Sequence, residues 1–526
     1  MSTSSDPRTA LFDRLRSDFL GLDRKDPVIG GGERRRVYLD TTATALMPRM
    51  VWEGLETYLE AACANSHTVA HRAGRDTTEA IEESRQAIGR LVGYDPEKDV
   101  VLFTGNGATG AINFLARALF PPELRPLVKR FPAGPPAEMV SAYREVLGPA
   151  GAAVVDDLLA RPVVITTEME HHSNLLPWIE AVGHHNVHAV AVKPEDGTLD
   201  LDDLDRLLAE HGPRVRLLAV TGVSNVTGII NPVPTLARKA HAVGAQVMID
   251  GAQWVPHAPV RMHPGEPEAS LDYLVLSGHK LYAPGSRGAL IGSLQTLSGR
   301  HCVTDVGGGM VEYVAIEDFE IKEEITAREE AGTPNILGSI SMGLIAGALE
   351  RIGMDVVEEE EQRLCARLLA RLEAIEGVRI YGSIDQEVAP RAGVVTFNVE
   401  GLHHAVVAAY LNDFHNIAVR NECFCAHPYV KCLLLIDPAT EASYRDEMHA
   451  HDRRHVPGGV RASLGIYSTE ADIEALGAAL EALVAVREEM AGRYTVDLDG
   501  DCRLEDAEAL PRTYALGAVL DAWERM

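Results

Sequence analysis

The chain has 526 residues, 46% hydrophobic and 24% charged, which is enough apolar chain for a large core and two domains. Its 77 acidic residues against 49 basic ones give a net charge of −28, which argues against nucleic acid and anionic membrane surfaces as partners. No apolar run approaches the roughly 20 residues that cross a bilayer, and the first residues (MSTSSDPRTALFDRLRSDFLGLDRKDP) carry charges throughout with no apolar signal core. The expected compartment is the cytoplasm, and the seven cysteines are expected to be reduced thiols.

In chain order, residues 1–36 read as an N-terminal arm and residues 37–345 as a large domain. Within it VVLFT (100–104) is a strand that runs through TGNGATGAIN (104–113) into a helix. VVITTE (163–168), RLLAVTGVS (216–224), AQVMIDGA (245–252) and LDYLVLSGH (271–279) are further buried strands, with a helix at TLARKAHAVG (235–244). Apolar strands alternating with helices predict an α/β fold with a mainly parallel sheet, whose ligands bind beyond the carboxyl ends of the strands. The Pro- and Ala-rich stretch 121–160 reads as a surface insertion. After residue 345 a long charged helix (VVEEEEQRLCARLLARLEAIEG) and short strands predict a smaller α+β domain at 346–490, followed by an acidic extension at 491–526.

The polar residues at the strand ends are the first place to look for chemistry. Lys280, in SGHKLYAPG, would read alone as a solvated lysine. Asp250, however, ends a strand in MIDGAQ, where a buried carboxylate is costly unless a cation meets it. A protonated pyridine nitrogen is such a cation, and the carboxylate keeps that ring an electron sink. Gln253 stands within reach of a ring hydroxyl. The Gly-rich turn at Gly107, Ala108 and Thr109 opens a helix and suits a phosphate, although alone it signals only a tight connection. Ser277 and His279 would add side-chain donors.

These segments, with YLDTTATALMP (38–48), EHHSNLLPW (170–178), VSNVTGIINPV (223–233), AGTPN (331–335) and VRASLGIYST (460–469), occur in the order found in class V aminotransferase-fold enzymes. The chain resembles that family, closest to cysteine desulfurases and selenocysteine lyases. The resemblance implies the pyridoxal-phosphate (PLP) transferase fold type I, α/β, with a large domain and a smaller C-terminal one. It further implies that Lys280 carries PLP as a Schiff base and shuttles protons, while His171 stacks on the ring and assists. Asp250 pairs with the pyridine nitrogen. Gln253 and Asn225 bind near the ring oxygen, and Asn225 also contacts substrate. Ala108, Thr109, Ser277 and His279 hold the phosphate, and Thr333 completes that cradle from the neighbouring subunit of a homodimer. Arg461 clamps the substrate carboxylate, a task that suits a bidentate guanidinium.

AVRNECFCAHPYVKC (418–432) resembles the desulfurase loop: Arg420, Cys425, Ala426 and Pro428 match its spacing, which makes Cys425 the candidate persulfide-forming nucleophile. His427 and Arg420 are candidates to favour its thiolate. The family usually has Gly where this chain has Glu422, whose charge would oppose a thiolate. Cys423 forms a C-x-C pair with Cys425, read as a resolving thiol, part of a metal site with His427, or a packed small residue. The C-F-C wording also resembles the molybdenum-cofactor sulfurase branch. The leading expectation is desulfuration of L-cysteine to alanine, with transfer to a sulfur-acceptor protein. The alternatives are an aminotransferase, epimerase or C–S/selenocysteine lyase with no cysteine nucleophile, or a regulatory protein on the same scaffold. No metal is expected: DLDGDCRLEDAE (497–508) fits a calcium loop only in part, with Cys502 where Gly belongs.

Overall fold

The structure, a computed structural model, describes residues 7–120, 136–142, 144–146, 148, 162–298, 305–505, 508 and 510–525. Most of the 121–160 excursion therefore lies outside the described residues, apart from a few short pieces that include a helical stretch at 137–142.

A seven-stranded sheet dominates the first half. Its spatial order is Asp99–Thr104, Gly288–Ser293, Tyr273–Ser277, Gln246–Asp250, Val215–Thr221, Val163–Thr167 and Val187–Val190. The last five of these pair in parallel, and Gly288–Ser293 runs antiparallel to both of its neighbours. Strands such as VVITT and YLVLS are buried at every residue, because helices cover both faces of the sheet. That is why they read in sequence as continuous apolar runs rather than as alternations. Two clusters of apolar side chains line the faces: Leu218, Val247 and Leu274 belong to one, Leu217, Met248 and Val275 to the other.

Each of the strands facing the cleft ends in a polar residue: Thr104, Thr167, Thr221, Asp250 and Ser277. The parallel register sets Thr221 beside Asp250 and Asp250 beside Val275. The sequence thus places its polar atoms at one rim of an otherwise apolar sheet.

Helix Ile336–Ile352 packs on helix Arg72–Leu91 and then turns by 81° into Met354–Glu373. Gly353 makes this turn at φ 91°, a left-handed conformation that suits glycine. Beyond it lies an antiparallel four-stranded sheet in the order Val378–Ile380, Val394–Val399, Gly459–Ser463, Arg420–Glu422. Its apolar side is a third cluster, formed with helices Met354–Glu373, His404–His415 and Glu470–Ala485. Val37 and Leu39, which the sequence pattern assigns to the large domain, pack into this cluster, and Val37–Tyr38 pairs in parallel with Ile417–Ala418. Phe19 and Leu22 pack into the first of the large-sheet clusters, so the chain touches that core, crosses to the third cluster at Val37 and Leu39, and returns. Among the described residues, no single helix is long and apolar enough to cross a membrane.

Candidate active site

A cleft of about 230 Å³ opens beyond the polar strand ends. Lys280, Asp250, His171, Asn225, Gln253, Ala108, Thr109, Ser277, His279, Arg461 and Cys425 all line it, so side chains spread over more than 350 positions of sequence converge on one place. Of the residues singled out in the sequence, Thr333 does not join them: it accepts a hydrogen bond from Asn65 Nδ2 at 3.1 Å, outside the cleft.

One end of the cleft is a donor cradle. Helix Gly107–Leu119 starts at Asn106 without a side-chain cap from its own segment, and its first turn faces the cleft through Ala108 and Thr109. Ala108 N donates to Ser277 Oγ at 2.8 Å, and Thr109 Oγ1 lies 2.7 Å from Ser173 Oγ. Gly107 has φ 58°, and a Cβ there would stand 2.8 Å from Ser277 Oγ. Both backbone conformation and space therefore require glycine at this turn.

Asp250 lies at the floor, buried, its carboxyl accepting from Ala252 N at 3.0 Å. Burial raises its pKa, partly offset by that hydrogen bond and by Lys280. Gln253 donates through Nε2 to Thr42 O at 2.8 Å, while its buried Oε1 has no partner. Lys280 is pushed down to about 8, first by burial, against the pull of Asp250 and with a further push from Arg461. An ammonium so weakened yields a free amine near neutral pH. Burial, and then Lys280, lower His171 to about 3 and His279 to about 4, so both imidazoles are neutral.

His171 is oriented by the turn that follows it: its Nδ1 accepts from Ser173 N at 3.1 Å. Sequence reasoning missed the group beneath this turn, Glu170. Its buried carboxyl group accepts from Thr221 N (3.0 Å), Thr167 Oγ1 (2.7 Å) and Asn174 Nδ2 (2.6 Å), and Asn174 Oδ1 accepts from Trp178 Nε1 (2.9 Å). This chain locks two strand ends to the segment that carries His171. Burial pushes Glu170 up to about 8. The available signal is a carboxyl group three residues after a fully buried strand, where an unpartnered charge is costly.

The other wall comes from the four-stranded sheet. Arg461 sits in its central strand Gly459–Ser463, buried, with Nη1 donating to Asn225 O at 2.9 Å and Nη2 to Asp40 Oδ1 at 3.2 Å. Its guanidinium lies 4.9 Å from the centre of the Phe424 ring, and its buried Nε has no partner. Burial lowers it to about 10, still a cation at neutral pH.

The loop after Arg420–Glu422 brings Cys425 to the cleft, exposed and free. Cys423 is different: it is buried, donates to Pro457 O at 3.0 Å and is pushed up to about 12 by burial. That is the packed-residue outcome among the three left open by the sequence. Among the described residues, no group of three or more His, Cys, Asp or Glu side chains could hold a metal, in the loop or in the 497–508 segment. The carboxylate of Glu422 is ion-paired with Arg453, so its charge is met rather than turned against the thiol. Burial lowers the pKa of His427, so it supplies no cation, whereas Arg420 lines the cleft.

With this geometry established, comparison with known proteins is decisive. The aminotransferase class-V profile matches residues 37–127 and 151–476. The chain belongs to the aminotransferase class-V family. Family enzymes are PLP-dependent, and residues 128–150, within the insertion read from composition, fall outside the match. A probable cysteine desulfurase of Halalkalibacterium halodurans is 33% identical over 447 residues, covering 85% of this chain and 92% of that one. The apo cysteine desulfurase of Thermococcus onnurineus NA1 superposes with a TM-score of 0.70 at 28% identity, covering 92% of this chain and 100% of the other. The cysteine desulfurase CsdA (S-sulfonic acid) of Escherichia coli gives 0.67 at 25% identity, covering 90% and 98%. The fold is thus that of PLP fold type I enzymes, and the chain is an enzyme of the cysteine desulfurase kind.

Proposed function

We propose that this protein is a PLP-dependent cysteine desulfurase that takes sulfur from L-cysteine onto Cys425 and leaves alanine. The observation that carries the reading is a single cleft lined by Cys425 together with Lys280, Asp250, His171 and Arg461. The residues present fit the cofactor. The orphaned Gln253 Oε1 would accept from a ring hydroxyl, and the buried Asp250 carboxylate would meet a pyridinium nitrogen. The start of the helix at Ala108 and Thr109, with the Ser277 hydroxyl that Ala108 N already holds and with His279, would hold a phosphate. When bound through Lys280, PLP supplies an electron sink for charge developing at the substrate α-carbon.

The chain's own groups do the rest. Lys280, with its pKa near 8, takes the α-proton and returns it. His171, neutral and fixed by Ser173 N, would hold the ring from one side and move protons there. Arg461 binds the substrate carboxylate, its unpartnered Nε adding a donor, and Asn225 contacts the substrate from the same side. Cys425 attacks the substrate sulfur as a thiolate: an S–S bond forms, the Cβ–S bond breaks, and its electron pair becomes a C–H bond after protonation. Enzyme thiol plus cysteine thus gives enzyme persulfide plus alanine, and the outer sulfur passes to an acceptor protein. Thr333, placed away from its own cleft, would serve a second copy of the chain in a cytoplasmic homodimer.

The test is incubation of the purified protein with L-cysteine and a reductant. Cys425→Ala is expected to lower sulfide and alanine release by about 10²–10³-fold while keeping the visible band of the cofactor. Cys423→Ala is expected to keep turnover and cost about 1–3 kcal/mol of stability. Undiminished release by Cys425→Ala would remove the desulfurase reading in favour of a lyase without a cysteine nucleophile.

A further inference from the structure

The loop that carries Cys425 is held in an unusual way. Glu422, Phe424 and Cys425 all have positive φ, 86°, 52° and 57°, without being glycine. Such backbone persists only where its surroundings impose it. Asn225 Nδ2 holds Phe424 O at 2.8 Å, and His172 N holds Cys425 O at 2.7 Å. Directly behind the loop, helix His427–Leu433 begins at Ala426 with no side-chain cap from its own segment. The missing acceptor comes from across the cleft. His172 Nε2 lies 3.3 Å from His427 N and 3.0 Å from His427 Nδ1, and the two rings stack with centroids 4.7 Å apart. One lone pair on His172 Nε2 meets both hydrogens, which requires His172 to be neutral with its proton on Nδ1.

We propose that His172 and His427 form a positioning latch, in which the His172 imidazole caps the helix behind Cys425 and keeps the thiol turned into the cleft. The inference rests on the reading of Cys425 as nucleophile for its purpose, but not for its existence. The latch ties the turn after the strand Val163–Thr167 to the loop after Arg420–Glu422, so it couples the two sheets at the reacting sulfur.

It is sensitive to pH. His172 faces His427 and, at 6.3 Å between rings, His171; His427 faces His172, Glu422 and Arg453. Lys280 and Arg461 act on His171, the neighbour of His172. Burial, and then His427, lower the pKa of His172, and burial lowers that of His427. The latch is therefore closed at neutral pH and lost as pH falls through the lowered His172 pKa. There Nε2 gains a proton and becomes a donor facing donors.

The test is hydrogen exchange of peptides spanning 424–433 in the full-length holoenzyme, with kcat and KM measured alongside. His172→Leu is expected to speed exchange about tenfold, the loss of one hydrogen bond, and to lower kcat with KM little changed. His172→Gln places Oε1 near the position of Nε2, so it is expected to restore protection and to abolish its loss in acid. His427→Ala, at the exposed end of the pair, changes protection in the same direction as His172→Leu. Equal protection in the Leu and Gln variants, or wild-type protection that does not fall as the His172 imidazole gains its proton, followed by its NMR shift and corrected for intrinsic exchange, would overturn the latch. Cys425→Ala is expected to keep wild-type protection. Full sulfide release by that variant would sink the nucleophile reading and leave the exchange result standing.

Discussion

Lys280, Asp250 and Ser277 stand at or just beyond the ends of strands buried on both faces, whereas Cys425 stands in a loop whose backbone is left-handed at three non-glycine residues. The floor of the cleft is positioned by sheet register, a by-product of the core. Thr221 lies beside Asp250 because the strands pair that way, and no special side chain is needed to keep it there. The loop costs about 1–2 kcal/mol per left-handed residue and is held by polar contacts from Asn225 and His172. The floor thus suits the part of the chemistry that must not move. The loop suits the part that must meet a substrate and then hand sulfur to another molecule.

The largest expected effect lies on the floor. Lys280→Ala is expected to remove the cofactor's visible Schiff-base band and lower turnover by about 10³-fold or more. A variant that keeps the band would show that the floor does not depend on this lysine. Arg461→Lys comes next. Two of its guanidinium nitrogens are committed to Asn225 O and Asp40, and the third is free. An ammonium cannot serve three directions in one plane, so KM for cysteine is expected to rise about tenfold or more, with kcat less affected. An unchanged KM would reassign Arg461 to holding the two sheets together.

Proton balance separates the regions further. Lys280 is lowered to about 8, and only its free amine captures an aldehyde. Uptake of PLP by the apoprotein is expected to accelerate by about tenfold per pH unit up to roughly pH 8 and then level off. Stopped-flow absorbance against pH measures this directly. A plateau near pH 10 would mean that burial does not depress the lysine.

Much of the floor was legible in the sequence because each of its residues follows a continuous apolar run, and such runs have one outcome, a strand buried on both faces. Asp250 after QVMI and Ser277 after YLVL are set by that rule. Glu170 stands three residues beyond its strand, and its role is visible only when Thr221, Asn174 and Thr167 converge on it. The loop was legible only through family spacing. Left-handed backbone at Phe424 and Cys425 contradicts local preference and is imposed by groups about 200 and 250 residues away, Asn225 and His172. The pairing of Val37–Tyr38 with Ile417–Ala418 is not legible either, because a two-residue strand has no periodicity to read.

The smallest expected effect tests whether the loop's departure from its family pattern matters. A carboxylate two residues after Arg420 would disfavour a thiolate at Cys425 if its charge faced the sulfur. Arg453 instead pairs with Glu422, and both side chains are more than a third exposed, 37% and 38%. An exposed pair of this kind contributes about 0–1 kcal/mol, and solvent screens what remains. Glu422→Gln is therefore expected to change the rate of Cys425 alkylation by iodoacetamide less than about threefold, measured against the exposed Cys63 as internal reference. Glutamine loses the ion pair but keeps the shape, so the left-handed turn at φ 86° is left to the same neighbours. A tenfold faster alkylation would mean that Glu422 does restrain the thiol, and that the loop tunes reactivity by charge as well as by position.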